Sequence, residues 1–294
     1  MEALLEWKWG FFSPTHIATI ILAIVFPIVL YFILKHKSER VQKIVLFLFS
    51  LLGPITMINE IVCYAPMQSI LVYLPIHLCS INAILTPILV CTKNEFIGNL
   101  TPLFSVGSGL AVIFNTIQAE YSIFSVVFIL YYSSHAMGCA IPFLMAKLGL
   151  IKIRPKYILP SLTTLFGLYT VVHFINVWIN TVCSANNIVD GFGELIQVNY
   201  MFSISPQGNP ALEFFWSLIP YEYFYMLAVF PIIAVYYLLL NIKDVIAFFK
   251  NKFSKGSADG SSEAADEAAS EESEAAEVSD APVTPQKSVA KEPQ

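Results

Sequence analysis

Seven long apolar stretches constrain this chain more than any other feature of its sequence. A helix needs about 20 apolar residues to cross roughly 30 Å of hydrocarbon. The predicted spans cover residues 15–34, 44–64, 69–90, 96–116, 122–146, 157–181 and 222–242. Only 13% of all residues are charged, whereas soluble domains carry about 25%. The sequence therefore predicts an all-α, polytopic membrane protein with seven transmembrane helices, contained in a membrane domain of residues 1–255.

The charges of the connections predict how these spans are oriented. Connections rich in Lys and Arg stay on the cytoplasmic side of a membrane. The basic segments are 35–43, 91–95, 147–156 and 243–255. The connections without Lys or Arg are 65–68, 117–121 and 182–221. Because the two kinds alternate, we predict an N-terminus outside and a C-terminus in the cytoplasm. We further expect the chain to lie in the plasma membrane.

Residues 256–294 differ in composition from the membrane domain. They are mostly Ala, Ser and Glu, with ten acidic and two basic side chains, and they account for the negative net charge of −5. Such a segment cannot bury enough apolar surface to offset the entropy lost on ordering. We therefore predict a disordered, acidic cytoplasmic tail.

Ionisable side chains inside the predicted spans are the candidate functional residues. Placing one in hydrocarbon costs about 3 kcal/mol or more, so such residues generally face a bundle interior or a wet cavity. They are Glu60 in span two, His77 in span three, His135 in span five and His173 in span six. At about 1.5 Å per residue, His135 lies near the midplane and the other three lie about 6–12 Å below the outer surface. We predict that they share one site opening towards the outer loop 182–221.

Polar residues also recur at helical spacing, which gives several spans one polar face. These faces hold Tyr169, His173, Asn176 and Asn180 in span six, Tyr73, His77 and Ser80 in span three, and Tyr131, His135 and Cys139 in span five. A polar face either lines a site or bonds a neighbouring helix. The aromatic segment 211–220 of the outer loop predicts either an interfacial helix on the outer leaflet or an aromatic anchor for span seven.

Cysteine and metal chemistry are two further hypotheses for this site. Cys79 is a weak candidate nucleophile, because a thiol in apolar surroundings stays protonated. Three histidines and a carboxylate suit Zn²⁺, so a metal ion among His77, His135, His173 and Glu60 is an alternative. The sequence contains no tight metal-ligand motif, and it leaves the cofactor and the metal unknown.

Four short strings carry a resemblance to a known family. They are Phe12-Ser13-Pro-Thr-His16, Leu74-Pro75-Ile-His77-Leu-Cys79, His135-Ala-Met-Gly-Cys-Ala-Ile-Pro142, and Asn199-Tyr200-Met-Phe202 followed by Pro220-Tyr221. Together they resemble the YwaF-like family of bacterial seven-span membrane proteins, over about residues 11–242. That family implies the fold and the membrane location, without a settled activity.

The chain is similar, more distantly, to the eukaryotic transmembrane protein 164, which is proposed to transfer acyl chains onto ether lipids through a cysteine. The resemblance implies functional roles for Glu60 and for the three histidines of the candidate site. In that protein a cysteine directly precedes the histidine of span three, whereas this chain has Ile76 there. Cys79 lies three residues later, so the position of the nucleophile differs.

Three classes of function remain open at this point. The first is an intramembrane lipid-modifying enzyme, performing acyl transfer or hydrolysis with a histidine as general base. The second is a proton-coupled transporter or permease, in which Glu60 and the histidines relay protons. The third is a membrane scaffold with a structural polar core. We expect membrane lipids as partners and no nucleic acid, while protein partners are unknown.

Overall fold

The computed structural model describes residues 13–114 and 122–247, which are almost entirely helical. The α-helices are α1 (Pro14–Leu34), α2 (Glu39–Ser50), α3 (Leu52–Gln68), α4 (Leu78–Thr92), α5 (Glu95–Phe114), α6 (Val126–Lys147), α7 (Ile158–Ala185), α8 (Pro210–Leu218), α9 (Phe224–Leu227) and α10 (Phe230–Leu240). Short 3₁₀ helices cover Ile70–Tyr73, Pro155–Tyr157 and Tyr200–Phe202. These ranges contain no β-strand, so the all-α prediction is confirmed for them. The predicted disordered tail, 256–294, lies outside the described residues.

Five helical segments of the described chain are long and apolar enough to cross a membrane. They are Pro14–Leu34, Glu39–Gln68, Glu95–Phe114, Val126–Lys147 and Pro155–Ala185. The predicted third and seventh spans contain the shorter apolar helices Leu78–Thr92 and Phe224–Leu240. The chain is thus a multi-pass membrane protein, whereas the count of seven spans and their orientation remain predictions.

The first part of predicted span three, residues 69–77, is not an α-helix. After the 3₁₀ turn the backbone is extended at Leu74, where ψ is 136°. Pro75 accounts for this, because a proline disfavours helical backbone at the residue before it and cannot donate a backbone hydrogen bond. Helix α4 begins only at Leu78, with His77 as its N-cap.

The late start of α4 corrects the predicted polar face of span three. Tyr73 lies in the 3₁₀ turn and His77 has extended backbone, so only Ser80 lies in the α-helix. Helical spacing therefore does not describe how Tyr73 and His77 are arranged. Predicted span seven, 222–242, is likewise divided, since α9 ends at Leu227 and α10 begins at Phe230, with Pro231 in its first turn.

Helix α6 lies at the centre of the described bundle, where it packs against α1, α2, α3, α4 and α5. The Gly138 carbonyl of α6 accepts hydrogen bonds from Asn82 Nδ2 of α4 at 2.9 Å and from Ser105 Oγ of α5 at 3.2 Å. Three helices meet there at close range. Small and polar residues are the usual means of such close packing inside membranes.

Candidate functional site

A cavity of about 410 Å³ lies among α3, α4, α5, α6 and the segment that follows α7. Its volume falls within the range of about 300–1,000 Å³ that small-molecule sites occupy. Most of its wall is apolar or aromatic. The polar and ionisable lining residues of α3, α4 and α6 include Thr56, Glu60, His77, Cys79, Ser80, Thr86, Tyr131, Ser134 and His135.

The predicted site residues divide between this cavity and a separate position. Glu60, His77, Cys79 and His135 all lie on the cavity wall, whereas His173 does not. Three of the four predicted ionisable residues are thus brought together, along with Cys79, the weak candidate nucleophile. Among the lining residues that the structure describes there is no Lys or Arg, so Glu60 has no permanently charged basic side chain beside it in that wall.

His77 is held at the point where the chain turns into α4. Its Nδ1 accepts a hydrogen bond from the backbone N–H of Met201 at 3.3 Å. The imidazole makes edge contacts with two aromatic rings, with centroids 5.1 Å away for Tyr200 and 6.2 Å away for Phe202. The outer-loop segment 200–202 therefore fixes the orientation of this ring.

His135 is held by its own helix, α6. Its Nδ1 lies 2.7 Å from the carbonyl oxygen of Tyr131, one turn earlier in the helix. The His135 ring also lies over the Tyr131 ring, with centroids 4.1 Å apart and planes inclined by 31°. Because Tyr131 and His135 share a helical face, they reach the cavity together.

Cys79 is the second residue of α4 and carries a free thiol. The N-cap His77 makes no side-chain cap to this helix. The first backbone N–H groups of a helix have no partner within it, and together they favour an anion. The N-terminus of α4, beside the thiol, thus offers backbone N–H donors to a negatively charged group.

Glu60 extends from α3 into the same wall and is half-buried. Within the described residues, its carboxyl group makes no hydrogen bond or ion pair. A buried carboxylate needs such partners to offset its loss of hydration. The cavity therefore presents one carboxyl group that is free to contact a bound molecule or to carry a proton.

His173 belongs to a different arrangement, on α7. Its Nδ1 lies 3.1 Å from Ser203 Oγ, and its ring centroid lies 5.0 Å from that of Tyr223. The hypothesis of a metal ion shared by His77, His135, His173 and Glu60 is wrong for this structure. Among residues 13–114 and 122–247, no group of three or more His, Cys, Asp and Glu side chains is arranged to hold a metal ion.

The predicted polar face of span six anchors the outer loop. Asn176 is fully buried, and its side chain bonds both the carbonyl and the N–H of Tyr200, at 2.8 and 3.0 Å. Asn180 bonds the carbonyl and the N–H of Val198 in the same manner, at 2.9 and 2.7 Å. This face of α7 thus functions chiefly in holding segment 198–203 against the bundle.

Sequence reasoning missed the residues that the outer loop contributes to the cavity. Met201 and Phe202 line it, as do Gln207, Gly208, Asn209, Ala211 and Leu212. The length of the 182–221 connection was the available signal, because long ordered loops are often functional. The predicted helix at 211–220 is present as α8, and its first turn forms part of the cavity wall.

Comparison with known proteins identifies the family. The sequence model of the TMEM164 family matches residues 11–240, which include every residue named in the cavity wall. No curated protein and no solved structure matches the chain. The chain belongs to the TMEM164 family.

Proposed function

We propose that this protein is an intramembrane enzyme that cleaves an acyl ester of a membrane lipid and transfers the acyl group. The proposal rests on one observation: the thiol of Cys79, the imidazoles of His77 and His135, and the uncapped N-terminus of α4 all border the same cavity. Ester cleavage needs a nucleophile, a base and donors for the oxyanion, and these groups can supply all three. Cys79 is the proposed nucleophile, and Glu60 is proposed to contact the polar part of the lipid.

The outer segment 207–218 supports a lipid rather than a water-soluble substrate. Ala211 and Leu212 face the cavity, while Phe214 and Leu218 on the same short helix are 60% and 61% exposed. A helix with exposed apolar residues of this kind suits the boundary between headgroups and acyl chains. A lipid could therefore enter the cavity beside α8 without leaving the bilayer.

The finer membrane assignments belong to the same proposal. We propose seven spans with the N-terminus outside, the tail 256–294 in the cytoplasm, and insertion in the plasma membrane. Alternation of basic connections supports this orientation. The four strings quoted above support placing the chain with the YwaF-like bacterial proteins of this family.

The proposal is tested with purified protein in vesicles containing a lipid with an isotope-labelled acyl chain. Wild-type protein is expected to release lysolipid and to carry the labelled acyl group on Cys79, detected by mass spectrometry as a hydroxylamine-sensitive adduct. Cys79→Ala should form no adduct and should lose lysolipid production. Cys139→Ala is the matched control, because Cys139 is partly buried in the same bundle but does not line the cavity.

Two outcomes would contradict this proposal in different ways. Lysolipid production at the wild-type rate by Cys79→Ala would exclude the thiol as the nucleophile. Absence of lysolipid from wild-type protein, with several lipid classes supplied, would exclude the enzyme.

A proton-coupled transporter is the second candidate, and the free carboxyl group of Glu60 favours it. An ionisable residue without a fixed partner inside a membrane can load and release a proton. This function predicts solute uptake into vesicles that depends on a proton gradient and is lost in Glu60→Gln. Uptake that Glu60→Gln leaves unchanged would exclude a proton-carrying role for this residue.

A further inference from the structure

The two imidazoles on the cavity wall are held by backbone groups of opposite kind. Nδ1 of His77 faces the N–H of Met201, and Nδ1 of His135 faces the carbonyl of Tyr131. A backbone N–H can only donate and a carbonyl can only accept. The hydrogen bond made by one ring nitrogen decides which nitrogen carries the proton in the neutral ring. The two histidines must therefore be opposite tautomers.

In His77 the proton must lie on Nε2. Its Nδ1 is an acceptor, so the neutral ring carries its hydrogen on the other nitrogen. A doubly protonated ring would set the Nδ1–H against the N–H of Met201, and this contact would be lost. While the contact stands, His77 offers its Nε2–H as a hydrogen-bond donor.

In His135 the proton must lie on Nδ1. The carbonyl of Tyr131 accepts from that nitrogen at 2.7 Å, which leaves a lone pair on Nε2. Ser134 agrees with this assignment, because its hydroxyl donates to the same carbonyl and its oxygen lies 3.4 Å from the Nδ1 as a second acceptor. His135 therefore offers its Nε2 as a base.

Neither Nε2 has a hydrogen-bond partner within the described residues. Both rings line the cavity, so a bound molecule can supply the partner. The donor that fixes His77 is itself held firmly, since Met201 is buried and adjoins Tyr200, which Asn176 bonds through two hydrogen bonds. Asn176 of α7 thus helps to fix the orientation of His77, because it holds the backbone segment that donates to His77.

We infer that the two histidines have different roles, with His135 as the base and His77 as the donor that polarises the ester carbonyl. This inference rests on the proposed function. His135 Nε2 takes the thiol proton of Cys79 as the sulfur bonds to the carbonyl carbon. The Nε2–H of His77 donates to the carbonyl oxygen, which becomes negative as its π electron pair moves onto it.

The first half of the reaction needs no reactant besides the lipid ester and the cavity side chains. The tetrahedral intermediate collapses, the carbonyl re-forms, and the bond to the alcohol oxygen of the lipid breaks. That oxygen receives the proton from His135, which leaves a lysolipid and a thioester on Cys79. In the second half, a hydroxyl of an acceptor lipid gives its proton to His135 and attacks the thioester, and the sulfur leaves with that proton.

Glutamine substitutions separate the two roles in the lysolipid assay. The side-chain amide of Gln places an N–H donor near the position of Nε2, but it cannot take up a proton. Loss of one oxyanion donor lowers the rate by about 10²–10³-fold, which is expected for His77→Ala, whereas His77→Gln should stay within about tenfold of wild type. Loss of a general base costs about 10²–10⁴-fold, which is expected equally for His135→Ala and His135→Gln. His36→Gln, at an exposed residue outside the cavity, is the matched control.

A second measurement reads the tautomers without any catalytic turnover. Nitrogen NMR of ¹⁵N-histidine-labelled protein in bilayers distinguishes protonated from unprotonated ring nitrogens. The signals are assigned by their loss in His77→Gln and His135→Gln. The inference expects an unprotonated Nδ1 in His77 and a protonated Nδ1 in His135.

Together, the activity and NMR measurements distinguish failure of the tautomer assignment from failure of the assigned roles. The same tautomer in both rings would overturn the inference, whatever the activity. Opposite tautomers with His77→Gln as slow as His77→Ala, or with an active His135→Gln, would overturn the assigned roles. Opposite tautomers in a protein that cleaves no lipid would overturn the proposed function, and with it the roles, but not the tautomers.

Discussion

Replacement of Gly53 by alanine tests how closely α3 and α4 must approach to form the cavity. A Cβ atom at Gly53 would lie 2.6 Å from Cβ of Ala83 and 3.1 Å from its Cα. Non-bonded carbon atoms pack at about 3.5–4.0 Å, so the substitution demands a separation of roughly 1 Å. Because the crowded atoms belong to the backbone and to its rigidly attached Cβ, no side-chain rotation relieves the contact and the helices themselves must move.

The expected cost follows from two opposing effects. Overpacking a well-packed interior costs about 1–3 kcal/mol, while alanine in place of glycine favours a helix by about 0.8–1.0 kcal/mol. Since the overlap involves backbone, we expect Gly53→Ala to lower the free energy of unfolding by about 1–2 kcal/mol. Gly167→Ala in α7 is the matched control, because a Cβ there would meet no atom of the described residues within 4 Å. It should stabilise the protein by up to about 1 kcal/mol.

The measurement is reversible unfolding of the purified protein in mixed micelles by increasing SDS. Combining Gly53→Ala with Ala83→Gly removes the atom at 2.6 Å, while Ala83→Gly alone should cost about 0.8–1.0 kcal/mol through its lower helix propensity. The double variant should therefore lose about 1 kcal/mol less than the sum of the two single losses. Gly53→Ala at least as stable as wild type, or strictly additive losses in the double variant, would refute the steric argument. Equal losses for Gly53→Ala and Gly167→Ala would also refute it, since only the first site is crowded.

The same substitution should also lower lipid cleavage. Glu60 lies seven residues after Gly53, and Cys79 lies four residues before Ala83, so each pair shares a helical face. Moving α3 away from α4 therefore moves the carboxyl group relative to the thiol. We expect Gly53→Ala to lower the rate of lysolipid production and Gly167→Ala to leave that rate unchanged.

Two further predictions concern stability and topology. Asn99→Ala should lower the free energy of unfolding by about 2–4 kcal/mol in the same SDS titration. The buried side-chain amide donates to the Lys152 carbonyl at 3.0 Å and accepts from the Arg154 N–H at 2.7 Å, and the substitution removes both hydrogen bonds. An effect below about 0.5 kcal/mol would contradict this account. In single-cysteine variants, a membrane-impermeant maleimide should label Cys63 on intact cells but reach Cys91 only after permeabilisation, and the reverse pattern would overturn the predicted orientation.

Apolar length and composition were enough to predict most of the helices. The spans predicted at 15–34, 96–116 and 157–181 correspond within a few residues to α1, α5 and α7. A helix satisfies its own backbone hydrogen bonds, so a long apolar stretch needs no distant partner to define it. The start of α4 was missed because the apolar stretch 69–90 runs through Pro75 without interruption, whereas the backbone is extended at Leu74 and at His77, on either side of the turn that contains this proline.

The candidate site was predictable in part, because burial of an ionisable side chain is costly wherever it occurs. That cost identified Glu60, His77 and His135, and all three lie on one cavity wall. The same cost did not distinguish His173, which bonds Ser203 of the outer loop. Local spacing describes which residues share a helix face, but not which neighbour that face meets.

The sequence by itself determined that this chain is a helical membrane protein and which of its ionisable residues are exceptional. The length of an apolar stretch and the cost of an ionisable residue within it are local properties, so both can be judged from the sequence without knowing which residues they contact. The tertiary structure decided which of these residues share a cavity, that the loop around Met201 closes against His77, and that this contact holds His77 as the tautomer opposite to that of His135. These depend on hydrogen bonds between residues as far apart in the chain as His77 and Met201, and only the folded arrangement of the helices brings such residues together.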